Sequence, residues 1–303
     1  MVEKKFILIM DTIGTLTATA RNLKSHYWPL IKSRQTFMLV ASGLAGYLCQ
    51  PPSPLGWARF TGLAGSLFLA ISGCTILNML FDRDIDRKMS RTRARPLAAG
   101  QVTVRVAASL GSALILLGLL WALVLSVPYC LLVLAGAILD VLVYTLWLKR
   151  RSAWSILLGG LSGGMPILAG HLLATGRGDA TGLLLALAVV CWIPSHNLTL
   201  CMLYPEDYVN AGIPTLFNRY GLAVTRLAAI LSSLATVVLM AAAFNRLSFS
   251  VPAFALLIAI GLGQVGLACY NGLRSSSKAI SALFKYSSLF MLAALLLLAF
   301  GRL

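Results

Sequence analysis

Nine long apolar runs set the rhythm of the chain, at roughly residues 28–50, 57–81, 103–125, 128–148, 154–175, 180–203, 221–244, 249–271 and 280–301. Each approaches the roughly 20 residues that a helix needs to cross a hydrocarbon core about 30 Å thick. The polar connections between them are short. Ser126-Val-Pro128, for one, leaves room only for antiparallel neighbours. The pattern predicts an all-α, polytopic membrane protein, with nine transmembrane helices in one domain over 28–303 and a surface segment over 1–27. Glycines recur inside the runs (Gly43 and Gly46, Gly62 and Gly65, Gly159, Gly160, Gly163 and Gly164), and small residues at such spacings let helices approach closely in lipid.

Composition agrees with this pattern. At 59% hydrophobic and 11% charged, the 303 residues do not describe a soluble domain. The net charge of +16 would suit nucleic acid, but the basic residues lie in short loops between apolar runs, and no nucleic-acid partner is expected. Of the 25 Lys/Arg, all but Arg59, Arg177, Arg246 and Arg302 fall on the side of the N-terminus. The positive-inside rule therefore predicts a cytosolic N-terminus and cytosolic loops after the second, fourth, sixth and eighth runs. Phe6-Ile-Leu-Ile-Met10 is too short for a signal-peptide core and Asp11 interrupts it, so no cleavable signal is expected. The six cysteines form no CxxC pair and are expected to be buried thiols.

Chemistry concentrates where the second run ends. Residues 78–97 hold three of the nine acids, and Asn78, Asp82 and Asp86 are spaced i, i+4, i+8. On a helix each is rotated roughly 40° from the last, so the three share a face. Carboxylates gathered in this way repel unless a cation sits between them, and oxygen-only ligands suit Mg²⁺ together with substrate phosphates. Arg91 and Arg95 follow and suit phosphate, or alternatively fix topology as basic loops do. Lys32, Lys149 and Arg150, at the ends of other runs on the same side, face the same choice between phosphate binding and interfacial anchoring. Glu206 and Asp207 make a second acidic loop on that side, so two halves of the chain each supply part of one site. Asp140 lies inside the fourth run, where a carboxylate is functional or paired. His171, near the other face, reads as a packing or interfacial residue, and His196 as either a hydrogen-bonded helix residue or a ligand to the acceptor. Together, acidic helix ends for Mg²⁺, cations for a diphosphate and apolar surroundings for its hydrocarbon describe electrophilic prenyl transfer.

Asn78-x-x-x-Asp82-x-x-x-Asp86 followed by Arg91-Thr-Arg-Ala-Arg95-Pro96-Leu97 resembles the first aspartate-rich motif of the UbiA superfamily of intramembrane prenyltransferases. Tyr144-Thr-Leu-Trp-Leu-Lys149-Arg150, the glycine run Gly159–Pro166 and Asp207-Tyr-Val-Asn-Ala-Gly-Ile-Pro214 resemble its protoheme IX farnesyltransferase (haem O synthase) branch. The resemblance implies helices around a central cavity capped by cytosolic loops, and farnesyl transfer from farnesyl diphosphate to a vinyl group of haem B, giving haem O. It implies Asn78, Asp82 and Asp86 at the metal and diphosphate, with Asp207 and Glu206 as the second half. Arg91, Arg95, Lys149, Arg150 and Lys32 would contact phosphate, and His196, Tyr144 and Glu206 the acceptor. Leu203 stands four before Asp207, where the superfamily has a paired aspartate, and the branch's Pro-His-Phe is here Pro194-Ser-His196-Asn197. These departures fall where acceptor recognition is expected. A quinone precursor, a chlorophyll-like ring or a glycerophosphate lipid stays open as acceptor. A transporter or non-catalytic cation-binding membrane protein is the alternative from another class, and the one-sided placement of the acids argues against it.

Overall fold

The computed structural model describes residues 27–50, 56–274 and 276–301, so the predicted surface segment lies almost wholly outside the described residues. The described part is helical: α1 (Ser33–Leu48), α2 (Gly56–Phe81), α3 (Arg83–Lys88), α4 (Val104–Leu125), α5 (Val127–Ile138), α6 (Ser155–Thr175), α7 (Ala180–Leu203), α8 (Pro205–Asn210), α9 (Leu216–Arg246), α10 (Val251–Leu273) and α11 (Ser277–Phe300). From α5 the chain continues without a break into a π-helix, Leu139–Leu148.

Eight of these helices are long and apolar enough to cross a membrane: α2, α4, α5 with its π-helical continuation, α6, α7, α9, α10 and α11. The first predicted run differs. It begins with a short 3₁₀ turn, Trp28–Ile31, passes through Lys32 in the left-handed region at φ 44°, and leaves α1 only 16 residues. Polar caps place several helix starts. Thr103, Asp179, Thr215 and Ser276 each accept a backbone N–H from the first turn that follows. α9 is broken at Gly221, whose φ of 81° no β-branched residue would tolerate, and the apolar run resumes from that point.

Sequential helices pack on one another, α2 on α4, α4 on α5, α5 on α6, α6 on α7, α9 on α10 and α10 on α11. α11 then returns against α1 and α7, so the bundle closes. Small residues govern the tightest crossings. A Cβ at Gly73 would lie 2.5 Å from the Gly111 carbonyl oxygen, so α2 and α4 meet backbone to backbone. At the end away from the acidic loops, His171 is fully buried, 2.9 Å from Asp179 through Nε2 and 3.7 Å from Cys49 Sγ through Nδ1. The packing role expected of His171 holds, with a buried polar link added.

Candidate active site

The end of α2 is where sequence and geometry meet. Asn78 is in the last turn of α2, Asp82 is the junction residue, and Asp86 is in α3. The backbone keeps its i, i+4 bonding across the junction: Asp82 N–H donates to the Asn78 carbonyl at 2.9 Å, and Asp86 N–H to the Asp82 carbonyl at 2.7 Å. The three side chains stay on one face and turn inward, exposed by only 6%, 2% and 3%. Charged groups so buried must be paired, and each carboxylate has a cation. Lys149 Nζ hydrogen-bonds Asp82, and Arg95 Nη1 lies 2.9 Å from both Asp86 oxygens. Lys32 lies within charge–charge reach of Asp82, Asp86, Lys149 and Arg95. One atom stays unmatched: Asp82 Oδ1 is buried without a hydrogen-bond partner.

The cation positions follow from local structure. Lys149 closes the π-helix, and its ammonium stands 5.9 Å over the Tyr144 ring, which itself lies against Gly159 of α6. Arg95 belongs to the loop after α3, held by Thr92 Oγ1 donating to the Asp86 carbonyl at 3.2 Å and by Arg87 Nε donating to the Ala98 carbonyl at 3.0 Å.

The second acidic loop docks on the first, though its carboxylate serves as an acceptor. Asp207 Oδ1 takes the Ser90 N–H at 2.9 Å, while Oδ2 takes the Ser90 hydroxyl at 2.9 Å and the Arg91 N–H at 3.4 Å. Partial burial works to raise its pKa, but these donors outweigh it and hold the carboxyl below the usual range. Ile85 and Met89 pack with Ala211 and Ile213 to complete the contact. Among the described residues no three His, Cys, Asp or Glu side chains converge as a metal cage, in keeping with Asp207 bonding to backbone amides.

Other predicted residues lie elsewhere. Arg150 turns to Asp84, reaching its two oxygens at 2.8 and 2.7 Å and the Phe81 carbonyl at 2.6 Å, so it points away from Asp82 and Asp86. That hydrogen bond holds the Asp84 carboxyl down at about 2. The Asp84 side chain is 58% exposed, and Asp84→Asn is expected to change stability by no more than about 1 kcal/mol and leave turnover near native, measured by thermal unfolding and initial rates. Glu206 is exposed, and Arg91 is exposed beside the Asp207 contact. His196 is stacked between Trp192 and Phe284, with ring centroids 4.9 and 4.4 Å away and Nδ1 3.5 Å from Ser288 Oγ. α7 ends at Leu203 before Pro205 opens α8, so His196 and Asp207 share no continuous helix. A groove of about 630 Å³ between α9 and α10, lined by Leu222, Arg226 and Ile230 among others, shares no residue with the acidic cluster. Sequence reasoning left Asp140 without a partner and did not single out Thr145 or Ser90. Ser90 binds through its backbone amide as well as its hydroxyl, and a backbone donor leaves no mark on residue type.

The chain is 37% identical over 246 residues to the protoheme IX farnesyltransferase of Thermofilum pendens, covering 78% of this chain and 86% of that protein. It is 34% identical over 279 residues to that of Pyrobaculum neutrophilum, covering 91% and 99%. Among solved structures, a digeranylgeranylglyceryl phosphate synthase superposes with a TM-score of 0.76 at 18% identity, over 93% of this chain and 99% of that one. A UbiA homologue from Archaeoglobus fulgidus, bound to GPP and Mg²⁺, superposes with a TM-score of 0.65 at 15% identity, over 90% and 99%. The profile of the UbiA prenyltransferase family matches residues 39–299, and the chain belongs to that family.

Proposed function

We propose that this protein transfers a farnesyl group from farnesyl diphosphate to a vinyl group of haem B, giving haem O. The observation that carries the reading is the pairing of two buried carboxylates, Asp82 and Asp86, with Lys149 and Arg95 at the end of an apolar helix. The names of the relatives support haem as acceptor. The residues fit Mg²⁺: Asn78, Asp82 and Asp86 offer oxygen ligands, and Asp82 Oδ1 is buried and unmatched. Those three would hold the ion, which when bound neutralises charge on the departing diphosphate. Lys149, Arg95, Lys32 and Arg91 bind the phosphate oxygens, and their positive charge stabilises the diphosphate as the C–O bond breaks. The loop after α2 and the loop carrying Asp207 form a cap, locked by the Ser90–Asp207 bonds, that keeps bulk water from the allylic cation. Tyr144, beside Lys149, and His196, stacked between Trp192 and Phe284, are assigned to the acceptor. α1 is the ninth crossing, and the cap faces the cytosol.

The test is incubation of purified protein with Mg²⁺, farnesyl diphosphate and haem B, followed by mass analysis. A gain on haem equal to farnesyl plus hydroxyl is expected. Diphosphate release with unchanged haem would move the acceptor to a quinone precursor, a chlorophyll-like ring or a glycerophosphate lipid. No release with any acceptor would end the prenyl-transfer reading. His196→Ala is expected to alter the spectrum of bound haem and lower turnover about 10-fold or more; an unchanged spectrum and rate would remove His196 from the acceptor site.

A further inference from the structure

The carboxylate inside the membrane, Asp140, finds its partner 62 residues earlier in the chain. Asn78 Nδ2 donates to Asp140 Oδ2 at 2.8 Å. On the other edge of the same amide, Thr145 Oγ1 lies 2.7 Å from Asn78 Oδ1 and 2.9 Å from the Asp140 carbonyl, so its single proton serves those two acceptors. The amide therefore presents its NH₂ to Asp140 and its oxygen to the Thr145 hydroxyl. Both edges of the amide are thus fixed, with Asn78 6% and Thr145 1% exposed.

The winding of the segment makes this possible. Leu139–Leu148 is π-helical, and Lys149 N–H continues the pattern by donating to the Tyr144 carbonyl, five residues back, at 2.9 Å. Residues five apart fall on one side of such a segment, whereas in an α-helix they are rotated about 140° from each other. Two pairs at that spacing point to the site: Asp140 with Thr145 on Asn78, and Tyr144 with Lys149 beside Asp82. π-helical turns are rare and concentrate where function demands them.

We propose that Asp140 and Thr145 are positioning residues that hold the Asn78 amide in the orientation the metal–diphosphate site requires, and that the π-helical winding exists to bring both to bear on it. The inference rests on reading Asn78, Asp82 and Asp86 as that site. The amide oxygen keeps a lone pair beyond the one Thr145 engages, and that lone pair is what the pair directs. Outer partners of metal ligands are worth about 10- to 100-fold in affinity when removed.

The test measures Mn²⁺ binding by electron paramagnetic resonance in the purified protein with inorganic pyrophosphate, alongside turnover. Asp140→Leu is expected to weaken Mn²⁺ binding about 10-fold or more. Asp140→Asn, which keeps the shape and an acceptor oxygen, is expected to restore most of it. Thr145→Val changes little volume and is expected to weaken binding about 3-fold or more, which keeps the idea testable should Asp140→Leu misfold. Combined with Asn78→Ala, either change is expected to add nothing further. Native Mn²⁺ affinity in both Thr145→Val and Asp140→Leu, or in Thr145→Val where Asp140→Leu does not fold, overturns the proposal, as does full additivity with Asn78→Ala. Asp86→Asn is the control. If it abolishes Mn²⁺ binding while the Asp140 and Thr145 variants bind normally, the positioning role alone fails. If Asp86→Asn binds as well as the native protein, the reading of the site itself fails.

Discussion

Replacing Asp82 or Asp86 by Asn is expected to lower prenyl transfer by at least about 100-fold while the protein remains folded. The two carboxylates are 2% and 3% exposed and face Lys149 and Arg95. Removing one charge does two things at once. It takes away an anionic oxygen ligand, and it leaves a cation that has lost its buried partner. Breaking a fully buried pair in this way costs roughly 3–5 kcal/mol. The side chains of Lys149 and Arg95 are 19% and 26% exposed, so water can reach them and the expected loss is smaller. Rate and stability therefore separate. Turnover at saturating Mg²⁺ collapses, while thermal unfolding in detergent shifts by a few degrees. Near-native rates in either variant would be incompatible with the proposed site, and a rate loss matched by loss of folded protein would make the pairs structural only.

Much of this arrangement was legible in the chain, and the residues show why. Eight apolar runs became helices long enough to cross a membrane, because length and composition decide that question directly. The first run did not follow the rule, since Lys32 takes a left-handed backbone and splits a 3₁₀ turn from a 16-residue helix. Asn78, Asp82 and Asp86 share a face because the i, i+4 backbone bonds run on across the α2–α3 junction, as the spacing requires. Their partners were harder to foresee. Periodicity assumes 3.6 residues per turn, so it gave no hint that a π-helix sets Asp140 and Thr145 together. Arg150 stood next to Lys149 and was given the same role, yet adjacent helical residues point about 100° apart, and only Lys149 turns to Asp82. Asp207 was expected at the metal because acidic loops on one side of a membrane suggest a shared cation. Its oxygens instead take the Ser90 amide and hydroxyl and the Arg91 amide, which ties the two loops to each other.

The second large effect is on folding. Gly170→Leu is expected to leave little folded protein, and even Gly170→Ala to cost roughly 1–3 kcal/mol. A Cβ at Gly170 would lie 1.9 Å from the Gly43 carbonyl oxygen and 2.8 Å from its carbon, and a Cβ at Gly46 would lie 2.2 Å from the Ile167 carbonyl oxygen. At this crossing the obstruction is backbone on both sides, so no rotamer change relieves it. α1 has to shift against α6. Because Lys32 stands at the start of α1 within reach of Asp82 and Asp86, that shift also carries a cation away from the site. Gly266 gives the contrast. A Cβ there meets nothing within 4 Å, so Gly266→Ala in α10 is expected to be neutral or to gain up to about 1 kcal/mol of helix propensity. Thermal unfolding of the three variants in one detergent separates the cases. A Gly170→Ala protein that melts with the native one would show that α1 and α6 are not held at this distance.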